Sequence, residues 1–235
     1  MLGTYGRTWW ESLAEYPVWP PGSPVRTGDY GTLEHGCFKR LGHASEYARG
    51  LGLEEATAEL DTLSISRRGT KTIRTNAALG LAAAASQSEV RFEFGQKQGI
   101  VFFASGIRSS SVLNLNVLAA RLAEEPAWDR SWLVVTTLRT AERFSLLAAQ
   151  DGNVQISVRG SSALVEDFLH GRATADAGLE FSGDRALHLV GSAGPVSVQL
   201  HRLAWFGNRF RNLQGGPLSE EGVSLVPFID PIEQA

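Results

Sequence analysis

A single cysteine, Cys37, is all that 235 residues contain. No intrachain disulfide can form, so nothing here requires an oxidising compartment. A basic excess is missing as well. Lysine and arginine total 22 against 25 acidic residues, for a formal charge of −3. Dedicated nucleic-acid binders show the opposite imbalance, so no nucleic-acid partner is expected. The opening MLGTYGRTWWESLAEY has no basic stretch leading into an apolar core, and Gly3 follows Leu2. Neither a signal peptide nor a myristoylation start is expected from it. No run approaches the roughly 20 apolar residues of a spanning helix, and the longest, 79–85, is far too short. A cytoplasmic location follows as the default. The common catalytic signatures are also missing: the P-loop, the dinucleotide fingerprint, HExxH, GxSxG and paired cysteines. His35, His43, His170, His188 and His201 are scattered without ligand spacing. No enzyme, metal or cofactor is expected.

What is present describes an ordinary globular chain, 43% hydrophobic and 20% charged. Residues 8–16 read as a short helix with a Thr8/Glu11 capping box and Trp9, Leu13 and Tyr16 on one face. Pro17 ends it, and 17–24 holds four prolines in an extended connector. Residues 28–42 look like strand fragments cut by glycines. The stretch 43–60 is ambiguous, with 54–60 able to form a helix. Residues 63–74 read as a strand. The alanine-rich 77–85 fits a strand, a short helix or a loop equally. Val90, Phe92 and Phe94 alternate with Glu89, Arg91 and Glu93, the period of a strand with one dry face. GQKQG at 95–99 then reads as a hairpin loop, with 100–104 returning as a second strand. Leu115, Leu118 and Leu122 mark a helix over 112–125, with Ser111 as its N-cap. A long or bent strand over 133–149 follows, then an Asp151-Gly152 hairpin signal and a return strand bearing Val154, Ile156 and Val158. A helix over 163–170, capped by Gly171, precedes strands at 178–182, 185–191 and 195–203. Helices do not alternate regularly with strands. The expected fold is α+β, a largely antiparallel twisted sheet with a few flanking helices. Domain 1–205 precedes a tail, 206–235, whose first half looks like an exposed linker.

Three features carry candidate chemistry. Arg67, Arg68, Lys71 and Arg74 lie together without an acid between them. They fit a surface for anionic lipid head groups, at about 1 kcal/mol per basic residue, or the wet face of a strand. Trp9 and Trp10 fit a membrane-interface anchor or a helix packed on a core. Cys37 with His35 fits a nucleophile and base, or a small core residue beside Phe38, which is the commoner role of a buried free cysteine.

The order of elements resembles the gasdermin pore-forming domain. WLVVTTLRTAERFSL at 132–146 is similar to a gasdermin strand in which a Val-Val-Thr core precedes a polar continuation. The leucine-striped helix at 112–125 resembles the helix before that strand. Gly28-Asp29, Leu33-Glu34 and Phe38 resemble an early gasdermin strand, and 178–203 the closing segment. The resemblance spans approximately residues 28–205. It implies a gasdermin N-terminal-domain-like fold with no enzymatic activity, cytoplasmic when inactive. In the active state it implies a homo-oligomer at the cell membrane, with lipid as partner, lining a pore with refolded amphipathic hairpins. Cell death and antiviral defence would be the outcome. Residues 63–104 and 133–158 are the candidate hairpins, with Leu81, Val90, Phe92, Phe94, Phe102, Val135, Leu146, Val154 and Ile156 as membrane-hairpin candidates. The tail takes the role of an autoinhibitory segment, with Arg209 and Arg211 as cleavage candidates for an activating protease. Bacterial gasdermins carry an acylated cysteine within their first few residues, whereas the cysteine here is Cys37. Residues 70–104 are expected to change secondary structure between states, so a charge at Leu81 should impair the membrane form more than the soluble one. The alternative from a different class is a non-enzymatic α+β module that binds a protein or lipid partner.

Overall fold

Strand β8 (Leu133–Ala149) is the spine of the molecule, and both its edges are used. The computed structural model describes residues 2–77, 87–172, 178–182, 186–205 and 223–227. Along one edge β8 pairs with β11 (Ala186–Trp205), and along the other with β7 (Gly99–Val112) and, at its start, β2 (Asp29–Glu34). Beyond β7 lies β4 (Glu55–Ser66) as an edge strand, and beyond β2 lies β3 (Cys37–His43). Beyond β11 come the short β1 (Tyr16–Pro17) and β12 (Val223–Pro227). A second sheet has the order β10-β9-β6-β5, formed by β5 (Thr70–Ala77), β6 (Gln87–Phe94), β9 (Val154–Ser161) and β10 (Gly178–Ser182). Every ladder among the described residues is antiparallel, as expected for the α+β class.

The two sheets face each other across one core. Val90, Phe92 and Phe94 of β6 and Val154, Ile156 and Val158 of β9 meet Val101, Phe103, Leu147 and Ala149 of the main sheet. Helix α3 (Ser162–Leu169) adds Val165 and Phe168. The opposite face of the main sheet is covered by α1 (Leu2–Leu13), whose Tyr5 and Trp9 pack on Ile100, Phe102, Phe144 and Leu146. Alternate residues of β7 and β8 are therefore buried on both sides. Each fully buried aromatic or aliphatic side chain of this kind contributes about 1.5–3 kcal/mol. Helix α2 (Leu115–Glu124) packs Leu118 and Leu122 into a third cluster with Tyr30, Trp128 and Trp132.

Several expectations are corrected. Helix α1 starts near Leu2, so Thr8 is interior, its hydroxyl donating to Thr4 O at 2.8 Å, and no capping box forms. Tyr16 belongs to β1. Residues 54–60 are not a helix but run into the first half of β4, because pairing with β7 supplies the ladder. The strand expected over 63–74 is two strands in different sheets, broken at 67–69. Ser111 lies in β7 and bonds Thr137, and Asn114 holds the N-cap position of α2. The two strands expected over 185–203 are one, β11, irregular near Pro195 and Gln199. Neither GQKQG nor Asp151-Gly152 makes a hairpin. β6 pairs with β5 and β9, while β7 pairs with β4 and β8. Each of these turns carries the chain from one sheet to the other.

Candidate functional site

The strand orders β5-β6-β9-β10 and β4-β7-β8-β11 run in step. Each strand of the second sheet is joined in sequence to the strand at the matching place in the main sheet. The two sheets are thus one four-stranded ribbon folded over on itself. Three of the folds are short corners, 67–69, 95–98 and 150–153, and they stack. The Arg67 guanidinium donates to Lys97 O and, at 2.9 Å, to Gln98 O. The backbone N–H of Arg67 reaches Ile100 O at 3.0 Å, that of Gln98 reaches Gln150 O at 3.0 Å, and that of Asn153 reaches Phe94 O at 2.7 Å. Gln98 and Asn153 both take the left-handed conformation, φ 61° and 62°.

The register across these corners is informative. Phe94 pairs with Val154 in the second sheet, and Gly99 with Ala149 in the main sheet. Four residues, 95–98, separate the two pairs on one strand and four, 150–153, on the other. The ladder between β6–β7 and β8–β9 could run from Gln87↔Ser161 to Ser111↔Thr137 without a slip. The outer strands do not match in this way. Ser66↔Val101 and Thr70↔Phe94 leave three residues, 67–69, facing six, 95–100. Between Ser182↔Gln155 and Ala186↔Ala149 the chain counts three residues on one strand and five on the other. Only the central pair is in phase through the fold.

The outer face of the second sheet is charged. Glu89 meets Arg91 at 3.1 Å and Arg159 at 3.4 Å, and Arg159 meets Glu180 at 2.8 Å. Exposed pairs of this kind add little stability, but they show a wet face backing a dry one. Of the basic candidates, Arg68 and Lys71 are exposed, Arg74 pairs with Glu166 at 3.3 Å, and Arg67 clips the corners together. Trp9 is fully buried under the main sheet, and Trp10 is half-buried against Tyr16. Val90, Phe92, Phe94, Val154 and Ile156 share the inter-sheet core, while Phe102 and Leu146 lie beneath α1. Val135 is in a separate cluster with Phe38 and Leu200. Leu81, Arg209 and Arg211 lie outside the described residues, as do most of the alanine-rich stretch and most of the tail.

His35 sits in the β2–β3 turn with φ 53°, and Cys37 is buried beside Tyr5. Burial pushes the Cys37 thiol up to about 12. At neutral pH it is a thiol rather than a thiolate, which favours the core role over the nucleophile. A cleft of about 400 Å³ opens there, lined by His35 and Cys37 together with Leu2, Trp19, Val25 and Phe38. Lys39 and Arg40 at its edge are held by Glu34 and Asp29, at 2.6 and 2.8 Å. Among the described residues no helix is long and apolar enough to cross a membrane, and no three His, Cys, Asp or Glu side chains gather as a metal site would need.

One buried ion pair escaped the sequence reading. Glu15, between α1 and β1, accepts from Arg139 of β8 and from the Ser197 hydroxyl of β11, both at 2.6 Å. Nothing in the local sequence distinguishes it from a solvated acid at a helix end. The matched corners were missed too, since their equality shows only once the pairing is known.

No family model matches the chain, and no curated protein does. Among solved structures it is similar to the Gasdermin A3 membrane pore, at 8% identity and TM-score 0.37, covering 96% of this chain and 94% of that one. It is also similar to a bacterial gasdermin from Bradyrhizobium tropiciagri, at 15% identity and TM-score 0.41, covering 97% and 91%. Both scores lie below 0.5.

Proposed function

We propose that this chain is a gasdermin-like pore-former without enzymatic activity, which opens its folded ribbon on a membrane and oligomerises with copies of itself. The observation that carries the reading is the in-phase central ladder. Straightened, 87–111 against 137–161 would extend for about 80 Å at roughly 3.3 Å per residue. A tilted membrane strand needs only about 9–11 residues. Alternating dry and wet residues are what a barrel wall requires, and closure into a ring of copies satisfies every backbone group in lipid. Arg68 and Lys71, exposed beside the corners, suit a first contact with anionic head groups.

The tail fits a restraint. Strand β12 pairs with the end of β11, Val223 opposite Trp205 through Pro227 opposite His201. While it stays there that edge is closed to another chain. In this reading the protein is cytoplasmic when inactive, a protease cutting at Arg209 or Arg211 frees the edge, and the active form sits in the cell membrane. Permeabilisation leading to cell death, as in antiviral defence, is the expected consequence.

The test is dye release from vesicles of phosphatidylglycerol and phosphatidylcholine. The full chain is assayed before and after limited trypsin nicking, beside a form ending near Phe206. Release with rings or arcs in electron micrographs is expected. Retention of dye by every form at every lipid composition would sink the proposal. The edge strand β4, exposed over most of its length, favours one other reading, a module that takes up a partner strand. A saturable complex without membrane damage would support that instead.

A further inference from the structure

In the second sheet the core-facing side chains are even-numbered, Val90, Phe92 and Phe94 on β6 with Val154, Ile156 and Val158 on β9. In the main sheet the side chains facing that same core are odd-numbered, Val101 and Phe103 with Leu147 and Ala149. The corners reverse the alternation. An unbent strand cannot, because its side chains change sides with a strict period of two. Once 95–98 and 150–153 are extended, the face of Val90, Phe92 and Phe94 runs on through Gln96 and Gln98 to Ile100, Phe102 and Ala104. Its partner runs from Val154 through Gly152 and Gln150 to Ala148, Leu146 and Phe144. In the folded protein these last six residues pack in the cluster that α1 closes, with the Trp9 ring 5.0 Å from that of Phe102.

Resting on the pore-forming reading above, we propose that the lipid-facing surface is assembled from two patches the folded protein keeps apart. One is the inner face of the second sheet, and the other is the floor beneath α1. Helix α1 is then a lid, and it must leave before the second patch can meet hydrocarbon. The opposite face is the more polar. It carries Glu89, Arg91 and Glu93 on one strand and Arg143, Gln155 and Arg159 on the other, with Lys97 directly across from Asp151 in the extended register, and beyond the corners Val101, Phe103, Leu147 and Ala149 also stand on it. Tyr5 Oη and Trp9 Nε1 are buried without a well-formed hydrogen bond, so their release forfeits none. Both groups suit the head-group region, where an aromatic body stays dry and its polar tip is wet. At its start α1 is tied to a corner, where the Thr4 hydroxyl donates to Gln98 Oε1.

The corners supply the test. Gln96, Lys97, Gln150 and Asp151 are exposed in the folded protein, so a cysteine at any of them leaves the core untouched. Each is made the sole thiol of the full chain with Cys37→Ala and labelled with an environment-sensitive fluorophore. The labelled chains are added to the same vesicles, nicked if nicking is what triggers release, with nitroxides on the lipid acyl chains. Gln96→Cys and Gln150→Cys should lose most of their emission, and Lys97→Cys and Asp151→Cys little. The reverse pattern, or equal quenching at all four, overturns the face assignment. A second variant carries Thr4→Cys and Gln98→Cys in the same background, bridged by a reducible bis-maleimide whose length spans the Gln98 side chain it replaces. Bridged, it should release no dye, and reduction of the linker should restore release. Undiminished release from the bridged form overturns the lid. Dye retention by the unmodified chain under all conditions removes the pore reading itself, and this inference with it.

Discussion

Glu15 and Arg139 show what a single contact decides here. Their side chains are 2% and 15% exposed, so removing one partner strands the other away from water. Glu15→Gln should lower the unfolding free energy by roughly 3–5 kcal/mol, read from urea denaturation. Adding Arg139→Gln should recover part of that loss rather than doubling it. His201 gives a pH prediction. Its ring is bonded to the Thr136 hydroxyl at 2.7 Å, and burial holds its pKa below the ordinary 6.5. The unfolded chain therefore takes up a proton at a higher pH than the folded one. Stability should be complete above about pH 6.5 and fall as the pH drops towards the folded value. His201→Gln should flatten that slope in denaturation series run between neutral and mildly acidic pH. At this scale the sequence was partly legible. The core role of Cys37 follows from residue type alone, whereas Glu15 becomes a buried acid only because two distant strands close over it.

Elements whose pattern is set by their own burial could be read directly. β8 is bounded correctly because its two ends are buried on both faces and its start is rich in β-branched residues. α3 is found because its closing Gly171 is a local signal. β4 was missed because EEATAEL favours a helix, and only the distant β7 makes it a strand. The corner turns were misread for the same reason. A glycine-flanked polar loop says that a strand ends, not which sheet the next one joins. Gly171 does two jobs. It takes φ 68° to end α3, and a Cβ there would lie 2.6 Å from Ala104 Cα. Gly171→Ala should cost more than the roughly 1–2 kcal/mol of a left-handed residue alone, because backbone rather than a side chain must give way. A lowered melting temperature with unchanged far-ultraviolet dichroism would show it.

At the scale of the whole molecule, the α+β class and the antiparallel pairing were legible from the irregular mixture of helices and strands. The folded ribbon was not, since it is a relation among four pairs of strands far apart in the chain. The equal corners have a consequence for insertions. The folded protein treats 95–98 and 150–153 as loops, so lengthening either should cost it no more than the few corner hydrogen bonds and leave it folded. The opened ladder treats them as strand, and there every added residue counts. Two residues inserted at Lys97 alone should abolish dye release from a well-folded protein. Two more at Asp151 should bring it back. One residue in each corner should not, because pairing would be restored while every side chain beyond the bend stood on the wrong side.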